Sequence, residues 1–246
     1  MTKAAGLIAL SLSVFFCSCS SIYMPNVPNT PMLDSKGELS AAAHISLKGN
    51  VSLNSAYAAS DHFAVLLNGS IMNNKHSDED FRHNLIEAGA GYFNNFGDDK
   101  ERIFEIYAGL GKGNSERNYR EETGDHIYTT TERQEFTLNK YFAQVNYSAK
   151  KKDGIKLFNK NIELNYGTVF RLSYINMKDF KLNDVYQPTE DNIFIEPVFF
   201  TRTALSKNVQ LQYTTSSNFG LKNRKYLTAG NSIFTIGLIV NVGGKK

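Results

Sequence analysis

Few residues of this chain could do chemistry, and most of them fall on one parity of a period-two pattern. Glu38, Glu87, Glu105, Glu163 and Glu196 occupy the polar positions between alternating apolar residues, and so do Arg171 and Arg202. Five carboxylates and two guanidiniums on one face of a sheet admit two kinds of chemistry. In a narrow closed interior they must pair or reach water, because an isolated buried charge carries a large desolvation penalty. In an open interior the excess of Glu over Arg would line a polar path for small cationic solutes. Pairing into a side-chain-filled polar lumen is the simpler outcome. Glu163 and Arg171 lie eight residues apart on one strand, or about 26 Å, so they cannot pair with each other. Arg171 is expected to meet Glu87 or Glu196.

Other candidate chemistry dissolves on inspection. No Ser/His/Asp set, P-loop, dinucleotide fingerprint or HExxH is present. Gly109-Leu-Gly111-Lys-Gly113 has the look of a phosphate loop, but it sits inside a strand-like segment with no helix after it. His76, Asp78, Glu79, Asp80 and His83 could cluster around a metal, and a solvated polar loop accounts for them as well. No cofactor or metal is implied, and the expectation is a protein that is not an enzyme. The net charge of +3 and the lack of a Lys/Arg patch interleaved with aromatics argue against nucleic acid as a partner.

Both cysteines, Cys17 and Cys19, lie at the front of the chain. Lys3 gives a weak positive start, and Ala4 to Phe16 give an apolar stretch of signal-peptide length. Phe16-Cys17-Ser18-Cys19 then reads as a lipoprotein processing site. Residues 1–18 form the signal peptide and Cys19 is the lipidated residue, since bulky Phe16 stands directly before Cys17. An ordinary secretory signal cut at small residues is the alternative. Residues 19–37 carry Pro25, Pro28 and Pro31 with Asn26 and Asn29, which favours an extended polyproline-like chain. The expectation is an extended periplasmic linker, with the acyl chains in the periplasmic leaflet.

The elements that must position the charges occupy 38–246. Ten segments alternate apolar and polar: 38–47, 51–59, 62–72, 84–93, 102–113, 135–148, 161–176, 192–203, 207–216 and 232–242. After the leader no run of about 18 apolar residues exists, so no transmembrane helix is available. The mean hydropathy of −0.34 still permits a membrane barrel, in which only every second strand residue faces lipid. The polar face is rich in Gly, Ser, Asn and Gln and poor in Lys, which suits a barrel interior better than a solvated outer surface. The fold expected is therefore all-β: an antiparallel up-and-down transmembrane β-barrel of about ten strands. Placing the N-terminus on the periplasmic side puts turns at 60–62, 94–100, 149–159 and 204–206. Loops then fall at 48–50, 73–82, 114–134, 177–191 and 217–231 on the outside. Tyr57, Phe63, Tyr92, Phe104 and Tyr147 lie beside the turns, as an interfacial aromatic girdle would.

Tyr23-Met-Pro25-Asn26-Val-Pro-Asn29-Thr-Pro31, then Lys36-Gly37-Glu38 and Ala56-Tyr57-Ala58-Ala-Ser60-Asp61-His62, resembles the opening of a group of Bacteroidota outer-membrane β-barrel lipoproteins. The resemblance covers roughly residues 19–70. It implies a small barrel in the outer membrane of a Gram-negative bacterium, and it implies no functional residues. Taken together, the expectation is a lipid-anchored barrel with a structural or interaction role. Its partners would be outer-membrane lipids and envelope proteins met through linker or loops. Two alternatives stand beside it: a narrow passive channel for small polar or cationic solutes, and a periplasmic calycin-like lipoprotein whose apolar face lines a ligand cavity.

Overall fold

Each period-two segment pairs with its neighbours until the sheet has no free edge. The computed structural model describes residues 22–246 apart from 125–126, 158–159, 229–232 and 245–246, and apart from the side chains of 99 and 151–163. The strands are β1 (Leu39–Ser46), β2 (Val51–Ala58), β3 (Phe63–Lys75), β4 (Glu79–Phe96), β5 (Arg102–Glu122), β6 (Tyr128–Leu157), β7 (Lys160–Leu182), β8 (Val185–Tyr186), β9 (Asp191–Ala204), β10 (Val209–Ser216), β11 (Phe219–Gly220) and β12 (Ile233–Val242). Ten of them close an antiparallel ring, because β1 pairs with both β2 and β12, and β9 bridges β7 and β10. The two-residue strands β8 and β11 add to β7 and β9 at the loop end. Closure removes the exposed sheet edge, a requirement for any sheet in hydrocarbon.

The alternation decides the faces. Leu53, Leu67, Ile86, Leu110 and Leu238 point outward and are half or more exposed, while Asn54, Asn68, Glu87 and Gln212 point inward and are buried. An apolar exterior and a polar interior are the reverse of a calycin, so the lipid-cavity reading is corrected here. The aromatics Tyr57, Phe63, Tyr92, Phe104 and Tyr147 all face out at the turn end, with Phe63 opposite Tyr92 and Phe104 opposite Tyr147. At the other edge of the band Tyr141 stacks on Tyr174. Beyond those two rings the outward positions turn polar at Asn139 and Asn176, which face each other. From Tyr166 to Tyr174 is about 26 Å of strand, or about 20 Å along the axis at ordinary barrel tilt. That is near the height of an outer-membrane apolar band.

Two expectations differ from the structure. The loops anticipated at 73–82, 114–134 and 177–191, and the turn at 149–159, are largely strand: β6 alone runs 30 residues. The apolar alternation stops at the edge of the band, but the hydrogen-bond ladder does not. Asn118 pairs with Arg133, and Tyr119 with Glu132, well outside the apolar region. Backbone pairing needs no apolar face, so a search for hydrophobic period two ends the strand too early.

The other difference concerns 19–37. Residues Ile22 to Leu33 do not lie below the barrel as a periplasmic linker; every one is buried inside it. The signal peptide and Cys19 lie outside the described residues. Pro25, Pro28 and Pro31 recur at the three-residue turn of a polyproline helix. They also remove three backbone N–H donors from a segment that has no ladder to join. A proline-spaced thread is thus suited to a closed interior. At Met32, whose φ is +56°, the backbone leaves that line and turns toward β1.

Candidate functional site

The candidate site is the lumen itself, built by the inward parity of the strands around the thread. Apolar residues close both ends. Ile22, Tyr23 and Met24 pack with Phe81, Phe180, Phe194 and Leu227 at the loop end. Leu33 packs with Ala58, Leu66, Phe93 and Tyr107 at the turn end. Between them the wall carries no side chain at Gly89 and Gly109, which face each other across β4 and β5. A Cβ at Gly109 would lie 2.6 Å from the Phe142 ring, so that aromatic occupies the space a side chain would have taken.

Between the two apolar ends, wall amides hold the thread where a strand would have held it by a ladder. Asn54 donates to the Val27 carbonyl at 3.0 Å. Gln144 and Asn146 donate to the Asn29 carbonyl at 2.7 and 3.1 Å. Asn29 returns the contact, donating to the Ser55 carbonyl at 2.9 Å and to Asn68 Oδ1 at 3.0 Å. Arg202 donates to the Thr30 carbonyl and, at 2.8 Å, to its hydroxyl. Asn95 donates to the carbonyls of Leu33 and Asp34, each at 3.1 Å.

The charges form a compact set. Glu87 sits between Lys140, at 2.8 Å, and Arg171, at 3.3 Å. Lys140 also faces Glu196 at 3.9 Å and donates to the Tyr23 hydroxyl at 2.8 Å. Tyr23 in turn donates to Glu196 at 3.3 Å. The Arg171 guanidinium is finished by Gln144, which accepts at 2.8 and 2.6 Å, and it lies 4.6 Å over the Phe142 ring. Two carboxylates and two cations, all buried, thus make a neutral quartet with a tyrosine of the thread at its centre. Glu105 stands apart, held by Tyr107 at 3.0 Å and Asn146 at 2.9 Å.

Of the seven charges singled out by parity, Glu87, Arg171 and Glu196 come together. Glu105 and Arg202 hold separate parts of the same lumen. Glu38 lies at the turn end, where its carboxylate accepts the Asp34 N–H at 2.6 Å. Burial raises the affinity of Glu38 for its proton above the ordinary carboxylate range, and the Asp34 bond offsets this only in part. The side chain of Glu163 lies outside those described. Parity alone would have found Lys140, which shares the inward face with Phe142 and Gln144, but a face read as poor in Lys hid it. With Lys140 counted, Glu87, Glu105 and Glu196 are matched by Lys140, Arg171 and Arg202. Among the described mid-lumen residues no excess of Glu remains to favour cations.

The His76–His83 set is split by the same parity. Asp80 falls on the opposite parity and pairs with Arg120, while Glu79 and His83 share the inward parity but turn to different partners, Arg117 and Ser115. His83 and Ser115 are both buried, with the His83 ring against those of Tyr23 and Phe81.

No family model and no curated protein matches this chain. Among solved structures, it is similar to the N-terminal β-barrel domain of OprF from Pseudomonas aeruginosa, at 12% identity, 85% of this chain, 99% of that chain and a TM-score of 0.33. It is also similar to the translocator domain of the autotransporter NalP from Neisseria meningitidis. That match has 10% identity, 98% of this chain, 96% of that chain and a TM-score of 0.45.

Proposed function

We propose that this chain is a lipid-anchored outer-membrane β-barrel of the Bacteroidota lipoprotein type, with a structural or interaction role and a lumen closed by its own N-terminal thread. The observation that carries this reading is the burial of Ile22–Leu33 inside a ring whose outer face is an apolar band. A barrel built to pass solutes keeps a water path, whereas here the axis is occupied by protein backbone tied to the wall by amides and by Arg202. The signal peptide is residues 1–18 and the anchor is the lipid on Cys19. Its partners are outer-membrane lipids and envelope proteins reached through the loop-end hairpins, where Ile127, Val185 and Tyr186 are exposed.

Three measurements test the reading. The protein should fractionate with outer membranes and show heat-modifiable gel migration; recovery in the soluble periplasm would refute the barrel's location. The mature N-terminus should be an acylated Cys19 by mass spectrometry; an unmodified terminus downstream would remove the anchor. Reconstituted in planar bilayers, the native chain should be silent, and the Asn146→Ala/Arg202→Ala variant, which loosens the thread, should leak. Steady conductance from the native chain would establish the channel reading instead.

A further inference from the structure

The direction of the thread sets the side of the membrane from which it comes. Asp34 pairs with Lys150, just past Tyr147 and the turn-end girdle. Tyr23 contacts Lys140, at the loop-side edge of the apolar band between Tyr141 and Asn139. The ten residues from Lys140 to Lys150 span about 33 Å of β6. The eleven steps from Tyr23 to Asp34 span about 34 Å of polyproline-like chain. At ordinary barrel tilt that stretch of β6 covers about 25 Å along the axis, within reach of the thread even with its turn at Met32, so the thread crosses the whole band with its N-terminal end among the loops.

Ile22 lies in that loop-end cluster, packed with residues such as Met177, Phe180 and Leu227. Only Ser20 and Ser21 separate it from Cys19, and three chain steps allow a reach of at most about 11 Å. The turn-end interface is some three times farther away, and the path back through the lumen is filled by the thread itself. A linker hanging below the barrel would have placed the anchor in the periplasmic leaflet; the buried thread removes the premise of that expectation.

We propose that the chain upstream of Ile22 leaves the barrel at the loop end, so that acyl chains on Cys19 enter the leaflet facing the loops. Resting on the proposed anchor and membrane orientation, this makes the protein a lipoprotein displayed outward through its own barrel. Its lipid and its N-terminal residues share one surface with the hairpins. Residues of the thread share buried clusters with eight of the ten ring strands and bond to a ninth, β10, through Gln212.

The test is labelling of whole cells with a membrane-impermeant maleimide. Asn223→Cys marks the loop end, Ser206→Cys the turn end, and Ser21→Cys the segment in question. The native chain measures background, since a lipidated Cys19 has no free thiol. The expected result is that Ser21→Cys and Asn223→Cys react on intact cells and Ser206→Cys only after permeabilisation. If Ser21→Cys behaves like Ser206→Cys while Asn223→Cys reacts on intact cells, the threading direction is overturned and the orientation stands. If Ser206→Cys reacts and Asn223→Cys does not, the orientation itself fails. Labelling of the native chain would refute the anchor separately and would report the side on which Cys19 lies. Should Ser21→Cys react only when denatured, an epitope inserted after Ser21 decides: antibody binding to intact cells supports the proposal, and binding only after permeabilisation overturns it.

Discussion

Replacing Lys140 with Met asks whether the lumen is dry. The ammonium serves Glu87 at 2.8 Å, Glu196 at 3.9 Å and the Tyr23 hydroxyl at 2.8 Å, with all four groups buried. Met fills a similar volume without charge. The substitution leaves Arg171 to serve Glu87 at 3.3 Å and leaves Glu196 with the Tyr23 hydroxyl, so the quartet keeps one uncompensated negative charge. Breaking a buried pair from one side costs about 3–5 kcal/mol. The same pair in contact with water would be worth about 0.2–1 kcal/mol. The assay is urea unfolding of the reconstituted protein, followed by loss of the compact gel form and of far-ultraviolet circular dichroism. A companion variant, Lys140→Met with Glu87→Gln, restores neutrality. It leaves Arg171 and Glu196, which already face each other across the β7–β9 register. It should be less destabilised than the sum of its parts, with a coupling of about 0.5–3 kcal/mol. A Lys140→Met cost below about 1 kcal/mol, or additive costs in the double variant, would refute the argument that the quartet is sealed from solvent.

The outward face is tested by Leu238→Arg, which places a charge beside Ala43 and Leu211 in the apolar band and should cost about 2–4 kcal/mol in lipid vesicles by the same unfolding assay. Gly109→Ala brings a Cβ to 2.3 Å from the Ala88 carbonyl oxygen and 2.6 Å from Phe142. It should lower stability by about 1–3 kcal/mol and reduce the folded fraction on gels. Glu38 holds its proton more tightly when folded than unfolded, so its contribution worsens as pH rises from the ordinary carboxylate range through its raised value. Glu38→Gln keeps an acceptor for the Asp34 N–H and should match or exceed native thermal stability at neutral pH, with the advantage vanishing in mild acid.

The sequence by itself determined the class of fold and which way each strand faces. Period two is a property of the extended backbone, so Leu53, Leu67 and Ile86 had to share one side and Asn54, Asn68 and Glu87 the other once the segments were strands. The same rule put Arg171, Glu87 and Glu196 in one interior, and it carried Lys140 there as well, though a compositional argument about Lys concealed it. The proline spacing in 23–31 likewise specified an extended chain before anything said where that chain runs.

Only the tertiary structure decided how far the strands continue and what fills the barrel. Hydrogen-bond pairing between Asn118 and Arg133 leaves no mark in the hydrophobic pattern, because the ladder is made of backbone groups common to every residue. A polyproline-like segment satisfies its own geometry equally in solvent or in a lumen. Its place among Gln144, Asn146 and Arg202 depends on the ring having room for one more chain and on inward amides with no strand to bond. That room follows from ten strands closing at a particular tilt, a property of the whole sheet that no single segment encodes.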